Sequence, residues 1–141
     1  MEKIEIKKIT KEQAWELRHV VMWPEKDFSY IQLKDDDAGS HVGVFKGELL
    51  VSVLSLFIEK ETAQFRKFAT LPQEQGKGYG SMLLAYIMEY AKNQGAKKIC
   101  CNARKNKVPF YQKFGLEETD AVFKKGGKTY VMMEKHYSVS S

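Results

Sequence analysis

Ile4, Ile6 and Ile9 sit among charged neighbours in near-alternation, which predicts a half-buried N-terminal strand. Thr10 followed by Gln13 is a capping-box signature, and Ala14, Leu17, Val20 and Val21 give the helix that follows an apolar face until Pro24 stops it. Residues 24–39 show little periodicity beyond a short helical turn, and such long connections are often functional lids. From His41 the pattern turns to strands: His41 to Phe45, a Lys46-Gly47 turn, Leu49 to Ile58, a Lys60-Glu61 turn, then Thr62 to Leu71. Turns this short imply an antiparallel meander.

A second helix is predicted after Gly80, with Leu83, Tyr86, Ile87, Tyr90 and Ala91 on its apolar face and Gly95 as its C′ residue. Lys98 to Ala103 reads as a strand reached through that helix, and therefore parallel to the strand before it. A short helix over 107–114 follows, with Asn106 as its N-cap, Pro109 in its first turn and Gly115 at its end. Glu117 to Lys124 and Thr129 to Tyr137 close the chain as a hairpin about Gly126-Gly127, and the Ser-Val-Ser-Ser tail is expected to fray. The order β-α-(α)-β-β-β-α-β-α-β-β predicts an α/β fold.

A chain of 141 residues is expected to form a single domain over 1–141. With 43% hydrophobic and 29% charged residues it has the make-up of a globular protein. The net charge of +5 suits nucleic acid or a polyanionic cofactor, but no Lys/Arg block and no reader motif favours nucleic acid, so no such partner is expected. Cys100 and Cys101 are neighbours on a predicted strand and point to opposite faces, badly placed to bridge each other or to share a metal. They read as buried thiols of a reducing compartment, and no metal is expected. With no signal-like apolar segment, no 18-residue apolar run and no lipidation motif, the cytoplasm is the expected location and no membrane contact is expected.

The chemistry concentrates at Gln75-Gly76-Lys77-Gly78-Tyr79-Gly80, between a strand and a helix. A glycine-dense turn there lets backbone N–H groups converge on an anion at the positive end of the helix dipole. The bland alternative is a tight connection. The spacing fits neither a Walker loop, since no Lys-Ser or Lys-Thr follows a second glycine, nor a dinucleotide fingerprint, since Gly76, Gly78 and Gly80 are evenly spaced. It does match Gln/Arg-x-x-Gly-x-Gly/Ala, read as Gln75, Gly78 and Gly80, and so resembles the pyrophosphate loop of the GNAT superfamily of acyl-CoA-dependent N-acetyltransferases.

The stretch Ala103 to Leu116, with Ala103-Arg104, Phe110-Tyr111, Lys113 and Gly115, resembles a second segment of that family in the expected order and separation. Arg66 to Pro72 resembles the family's strand ahead of the loop. Lys107 stands where many relatives have Ala, and Leu116 replaces the commoner Phe. The resemblance implies a mixed, largely antiparallel central sheet with a splayed parallel strand pair and flanking helices. It also implies acetyl-CoA as acyl donor, with Phe68, Ala69 and Thr70 along the pantetheine arm, Phe68 and Thr70 through main-chain groups. Gln75, Gly76, Lys77, Gly78, Tyr79 and Gly80 would hold the pyrophosphate, with Ser81 at the helix start and Asn106 touching the cofactor or simply capping its helix. Tyr111 would stand near the CoA sulfur as the catalytic residue that donates a proton or a hydrogen bond to the departing thiolate, or else pack on the sheet as an ordinary helix aromatic.

No general base is assignable. Acids in the 24–39 connection, Arg18, His19, His41 and His136 are each more often solvated or packing groups, Arg66 and Asn102 lie on strands of unknown facing, and a positioned water could serve. The expected function is transfer of acetyl from acetyl-CoA to a primary amine of an unidentified small molecule, peptide or protein, by a monomer or homodimer. The alternatives are a non-catalytic acyl-CoA sensor or regulatory module, and a nucleic-acid-binding domain suggested by charge alone. Glu25, Asp27, Asp35, Asp36 and Asp37 in the connection would favour a cationic acceptor.

Overall fold

The computed structural model describes residues 3–137, so the tail expected to fray lies outside the described residues. Two compact units divide the chain, Met1–Phe57 with Lys67–Ile87 and Ile58–Arg66 with Met88–Ser141.

In the first unit, β1 (Ile4–Ile9) leads into α1 (Lys11–Met22). The capping box forms as the sequence requires: Thr10 Oγ1 accepts the Gln13 N–H at 3.1 Å and Gln13 Oε1 accepts the Thr10 N–H at 2.9 Å. Helix α1 buries Ala14, Leu17 and Arg18. Val20, expected on that face, is 57% exposed. At about 100° per residue it falls outside the arc those three residues define. The 24–39 connection contains two short 3₁₀ turns, Phe28–Ile31 and Asp36–Ala38. β2 (Ser40–Lys46) then pairs antiparallel with β1, from Ile4↔Lys46 to Ile9↔His41, and with β3 (Leu49–Glu59), through a register shift between Val44 and Phe45. Leu17, Val53 and Ala69 form a buried cluster, with Ile9, Val21, Met22, Leu50 and Leu71 packed against it, so α1 rests directly on the end of β4 (Thr62–Thr70).

β4 and α2 (Tyr79–Asn93) each run from one unit into the other. α2 buries Leu83, Leu84, Ile87, Met88 and Ala91, whereas Tyr86, expected to face inward, is 37% exposed. Leu84 and Met88 supply that face in place of an amphipathic phenol whose hydroxyl favours water. The helix ends in a Schellman motif: the Ala96 N–H donates to the Ala91 carbonyl at 3.1 Å, the Gly95 N–H to Lys92 at 3.0 Å, and Gly95 sits at φ +93°.

In the second unit, β5 (Lys98–Arg104) pairs parallel with the start of β4 over three residues, Thr62↔Lys98 to Gln64↔Cys100. β7 (Lys128–His136) pairs antiparallel with β5 and with β6 (Glu117–Lys125). The β6–β7 turn is Gly126-Gly127 at φ +58° and +77°, the doubly left-handed pair a two-residue type I′ turn needs. The short helix α3 spans Val108–Gln112. Asn106 does not cap it. It lies inside a 3₁₀ turn, Lys105–Lys107, one residue too early, and Lys107 occupies the cap position without a side-chain cap bond.

Among the described residues, seven strands follow the order β1-β2-β3-β4-β5-β7-β6 with one parallel pair. This is the mixed, largely antiparallel α/β sheet that the sequence implies. Cys100 and Cys101 are both buried and both free.

Candidate functional site

β4 is irregular just before the predicted donor-binding stretch. Lys67 holds φ +57°, a left-handed conformation that a residue with a Cβ adopts only at a cost on the order of 1–2 kcal/mol. One such residue breaks the pleat and re-aims the backbone beyond it, here Phe68, Ala69 and Thr70. Ser52 steadies this strand end, its hydroxyl donating to the Ala69 carbonyl at 3.1 Å and pairing with Thr70 Oγ1 at 2.8 Å.

A 3₁₀ turn, Pro72–Glu74, carries the chain from β4 to the glycine turn. Gly76 and Gly78 hold φ +79° and +88° with nothing near where a Cβ would stand, so conformation alone selects glycine there. Gly80 is selected by space instead, since a Cβ would lie 3.2 Å from the Phe68 ring. The Met82 N–H donates to the Gly78 carbonyl at 3.1 Å and opens the hydrogen-bond ladder of α2. The N–H groups of Tyr79, Gly80 and Ser81 come before that bond and have no intrahelical acceptor. They stand at the positive end of a 15-residue helix, where an anion is favoured.

Two of the expected phosphate ligands have partners just ahead of the glycine turn. Gln75 Nε2 donates to the Thr70 carbonyl at 3.2 Å. Lys77 Nζ lies 3.1 Å from the Glu74 carboxylate, which Lys46 also approaches at 3.5 Å. The Lys77 hydrogen bond, opposed by desolvation and aided by the charge of Lys46, holds the Glu74 carboxyl below the usual carboxylate range. Lys77 therefore clamps the loop's own base. Phe68, Thr70, Gln75 and Gly80 are brought together, and Ser81 is exposed on the first turn of α2.

Asn106 and Tyr111 belong to the second unit. Tyr111 lies on α3, half-buried, its ring centroid 5.9 Å from Phe65 and 5.2 Å from Phe110. Its hydroxyl makes no hydrogen bond among the described residues. Burial, aided by the Cys101 thiol and opposed by Arg104, pushes the phenol above its ordinary pKa. It remains a neutral donor throughout the physiological range.

A further polar cluster lies beneath the 24–39 connection. Arg18, wholly buried, donates through Nη1 to Asp36 Oδ2 at 2.8 Å and to the Ile31 carbonyl at 3.1 Å, and through Nη2 to Asp36 Oδ1 at 3.1 Å and Ser55 Oγ at 2.7 Å. Asp36 also accepts from the Trp15 indole N–H at 2.7 Å and the Leu33 N–H at 2.8 Å. Burial raises its pKa, but these hydrogen bonds, that of Arg18 foremost, outweigh it and carry the carboxyl down to about 2. His41 Nε2 lies 2.9 Å from the Asp36 carbonyl, which can only accept, so that nitrogen carries a proton, and Nδ1 pairs with Ser55 Oγ at 2.7 Å. Arg18, His41 and Asp36 are thus structural. Asp36 leaves the set of acids able to steer a cationic acceptor, and Asp37 is paired with Lys11.

The family profile of the acetyltransferase (GNAT) domain matches residues 6–137. The uncharacterized N-acetyltransferase YitI of Bacillus subtilis is 30% identical over 129 residues, 85% of this chain and 87% of that protein. Among solved structures, Escherichia coli ElaA superposes with a TM-score of 0.81 at 19% identity, over 95% of this chain and 100% of that one. A GNAT family acetyltransferase from Elizabethkingia anophelis with acetyl-CoA bound gives a TM-score of 0.76 at 18% identity, over 95% and 98%. At such identities these likenesses speak for the fold, while the profile and the Bacillus relative speak for the family. The chain belongs to the GNAT acetyltransferases, enzymes that depend on an acyl-CoA donor.

Proposed function

We propose that the chain acts as one domain over 1–141 and transfers the acetyl group of acetyl-CoA to a primary amine. The observation that carries this reading is the glycine turn, with its two left-handed glycines and the first-turn N–H groups of a long helix behind them. Gln75, Gly76, Lys77, Gly78, Tyr79 and Gly80 hold the pyrophosphate largely through backbone N–H groups, with Ser81 at the helix start and Asn106 as a further contact. Phe68, Ala69 and Thr70 line the pantetheine arm, Phe68 and Thr70 through main-chain groups.

In the reaction the amine nitrogen attacks the thioester carbonyl carbon, a C–N bond forms and the C–S bond breaks. Tyr111 donates its proton to the departing thiolate, and the proton shed by the nitrogen passes through water back to the phenolate, which restores the phenol. These steps call on no metal. The acceptor is an amine of a small molecule, a peptide or a protein, and the cytoplasm, where acetyl-CoA meets reduced thiols such as Cys100 and Cys101, is the proposed location. No helix of the described residues is long and apolar enough to cross a membrane.

Ligand-dependent melting tests the loop. At a hundredfold excess over Kd, acetyl-CoA stabilises a single site by about 2.7 kcal/mol, a shift of several degrees for a chain of this size. Gly78→Val forces a branched side chain to φ +88° and is expected to abolish most of that shift. Gly95→Val carries the same strain at φ +93° away from the loop, so it should lower the melting temperature yet keep the shift. An undiminished shift in Gly78→Val removes the loop from the donor site.

A further inference from the structure

Among the described residues, β6 is the last strand of the sheet and is hydrogen-bonded only to β7. Eight of its nine residues are exposed and Thr119 is half-buried, so both faces of the strand meet solvent. Its two large apolar members are prominent: Val122 is 55% and Phe123 36% exposed, the latter stacked on Tyr130 with ring centroids 5.4 Å apart. An edge strand that is long, exposed and partly apolar is a template for pairing with another chain.

Edge strands are commonly protected by charge, and β6 is charged, but its charges are sorted by sign. Glu117, Glu118 and Asp120 occupy one end and Lys124 and Lys125 the other, with Val122 and Phe123 between acids and lysines. Glu118 is shared with Lys105 at 2.5 Å, whereas Glu117, Asp120, Lys124 and Lys125 form no ion pair among the described residues. A strand with this pattern is complementary to itself in one orientation only. Laid antiparallel about a two-fold axis, each acidic end meets the lysine end of the other copy and the apolar residues meet near the axis. Laid parallel, like charges face each other.

The bulge between Glu118 and Val122 sets the extent of the contact. Thr119 Oγ1 donates to the Met132 carbonyl at 2.9 Å and accepts the Ala121 N–H at 3.2 Å, which fixes the extra residues in place. Backbone pairing is therefore confined to the flanks of the bulge. We propose that a second copy of this chain docks on β6, antiparallel, by strand addition with Glu117 and Asp120 of each copy set against Lys124 and Lys125 of the other.

Sedimentation of the full chain over a micromolar concentration series is expected to show a monomer–dimer equilibrium that weakens as salt is added. Lys124→Glu with Lys125→Glu places acid against acid, and Glu117→Lys with Asp120→Lys places lysine against lysine. Each double variant, with an unaltered circular dichroism spectrum, should raise the dimer dissociation constant about tenfold or more. An equimolar mixture of the two is complementary at both ends and should restore the dimer. A wild type that stays monomeric across the series, variants that dimerise like the wild type, or a mixture that fails to recover the dimer would each overturn the proposal.

Discussion

Tyr111→Phe is expected to lower kcat about a hundredfold while leaving acetyl-CoA affinity nearly intact. A proton delivered to the departing thiolate matters in the transition state and hardly at all in the bound ground state, so its loss falls on kcat. General-acid contributions run from about 10² to 10⁴, and the low end applies because a thiolate leaves readily. Phenylalanine keeps the ring that packs between Phe65 and Phe110, so the fold should not change. Because burial raises the phenol's pKa, ionisation of Tyr111 contributes no alkaline limb to the rate profile near neutrality. The measurement is thiol release with a panel of primary amines under conditions where chemistry limits. Wild-type turnover in Tyr111→Phe would refute the catalytic role. A wild type that binds acetyl-CoA tightly yet turns over no amine would instead favour a sensor.

Arg18→Met should cost about 3–5 kcal/mol at neutral pH, because it leaves the buried Asp36 carboxylate without its cation. Adding Asp36→Leu should recover much of that loss, since the penalty lies in the orphaned charge rather than in the missing attraction. The pH dependence has a definite sign. Asp36 has a depressed folded pKa, so the stability it contributes is complete above its ordinary value of 3.8 and is lost as pH falls toward about 2. In Arg18→Met the carboxyl is no longer held down and protonates sooner, which relieves the penalty. The gap in melting temperature between wild type and variant is therefore expected to narrow below about pH 4. A gap independent of pH, with the double variant no better than the single, would show that the pair does not govern how the connection is held.

Elements marked by local chemistry were legible in the sequence. Thr10 with Gln13, Gly95 and Gly126-Gly127 each name their structure, because capping and positive φ are decided within a few residues. The parallel β4–β5 pair also followed from the sequence, since a helix must carry the chain back. What escaped depends on distant partners. Arg18 sits four residues after Ala14 and one after Leu17, squarely on the apolar stripe of α1, and that position was the available signal. Its partners arrive from the 24–39 connection and from β3, and a lone arginine reads as solvated until they are in place. The left-handed Lys67 carries no signal at all, because lysine has no preference for positive φ. At the candidate site the glycines were readable, whereas the clamping of Lys77 by Glu74 required the folded turn.

The paired thiols of β5 have a practical corollary. Burial pushes both Cys100 and Cys101 above the ordinary thiol pKa, Cys101 to about 12, so thiolate is disfavoured at both while the chain is folded. A chromogenic disulfide added to follow acetyl transfer then reacts with liberated coenzyme A and passes over the native enzyme. Once the chain opens, both sulfurs become ordinary exposed nucleophiles, and the same colour change counts unfolded molecules.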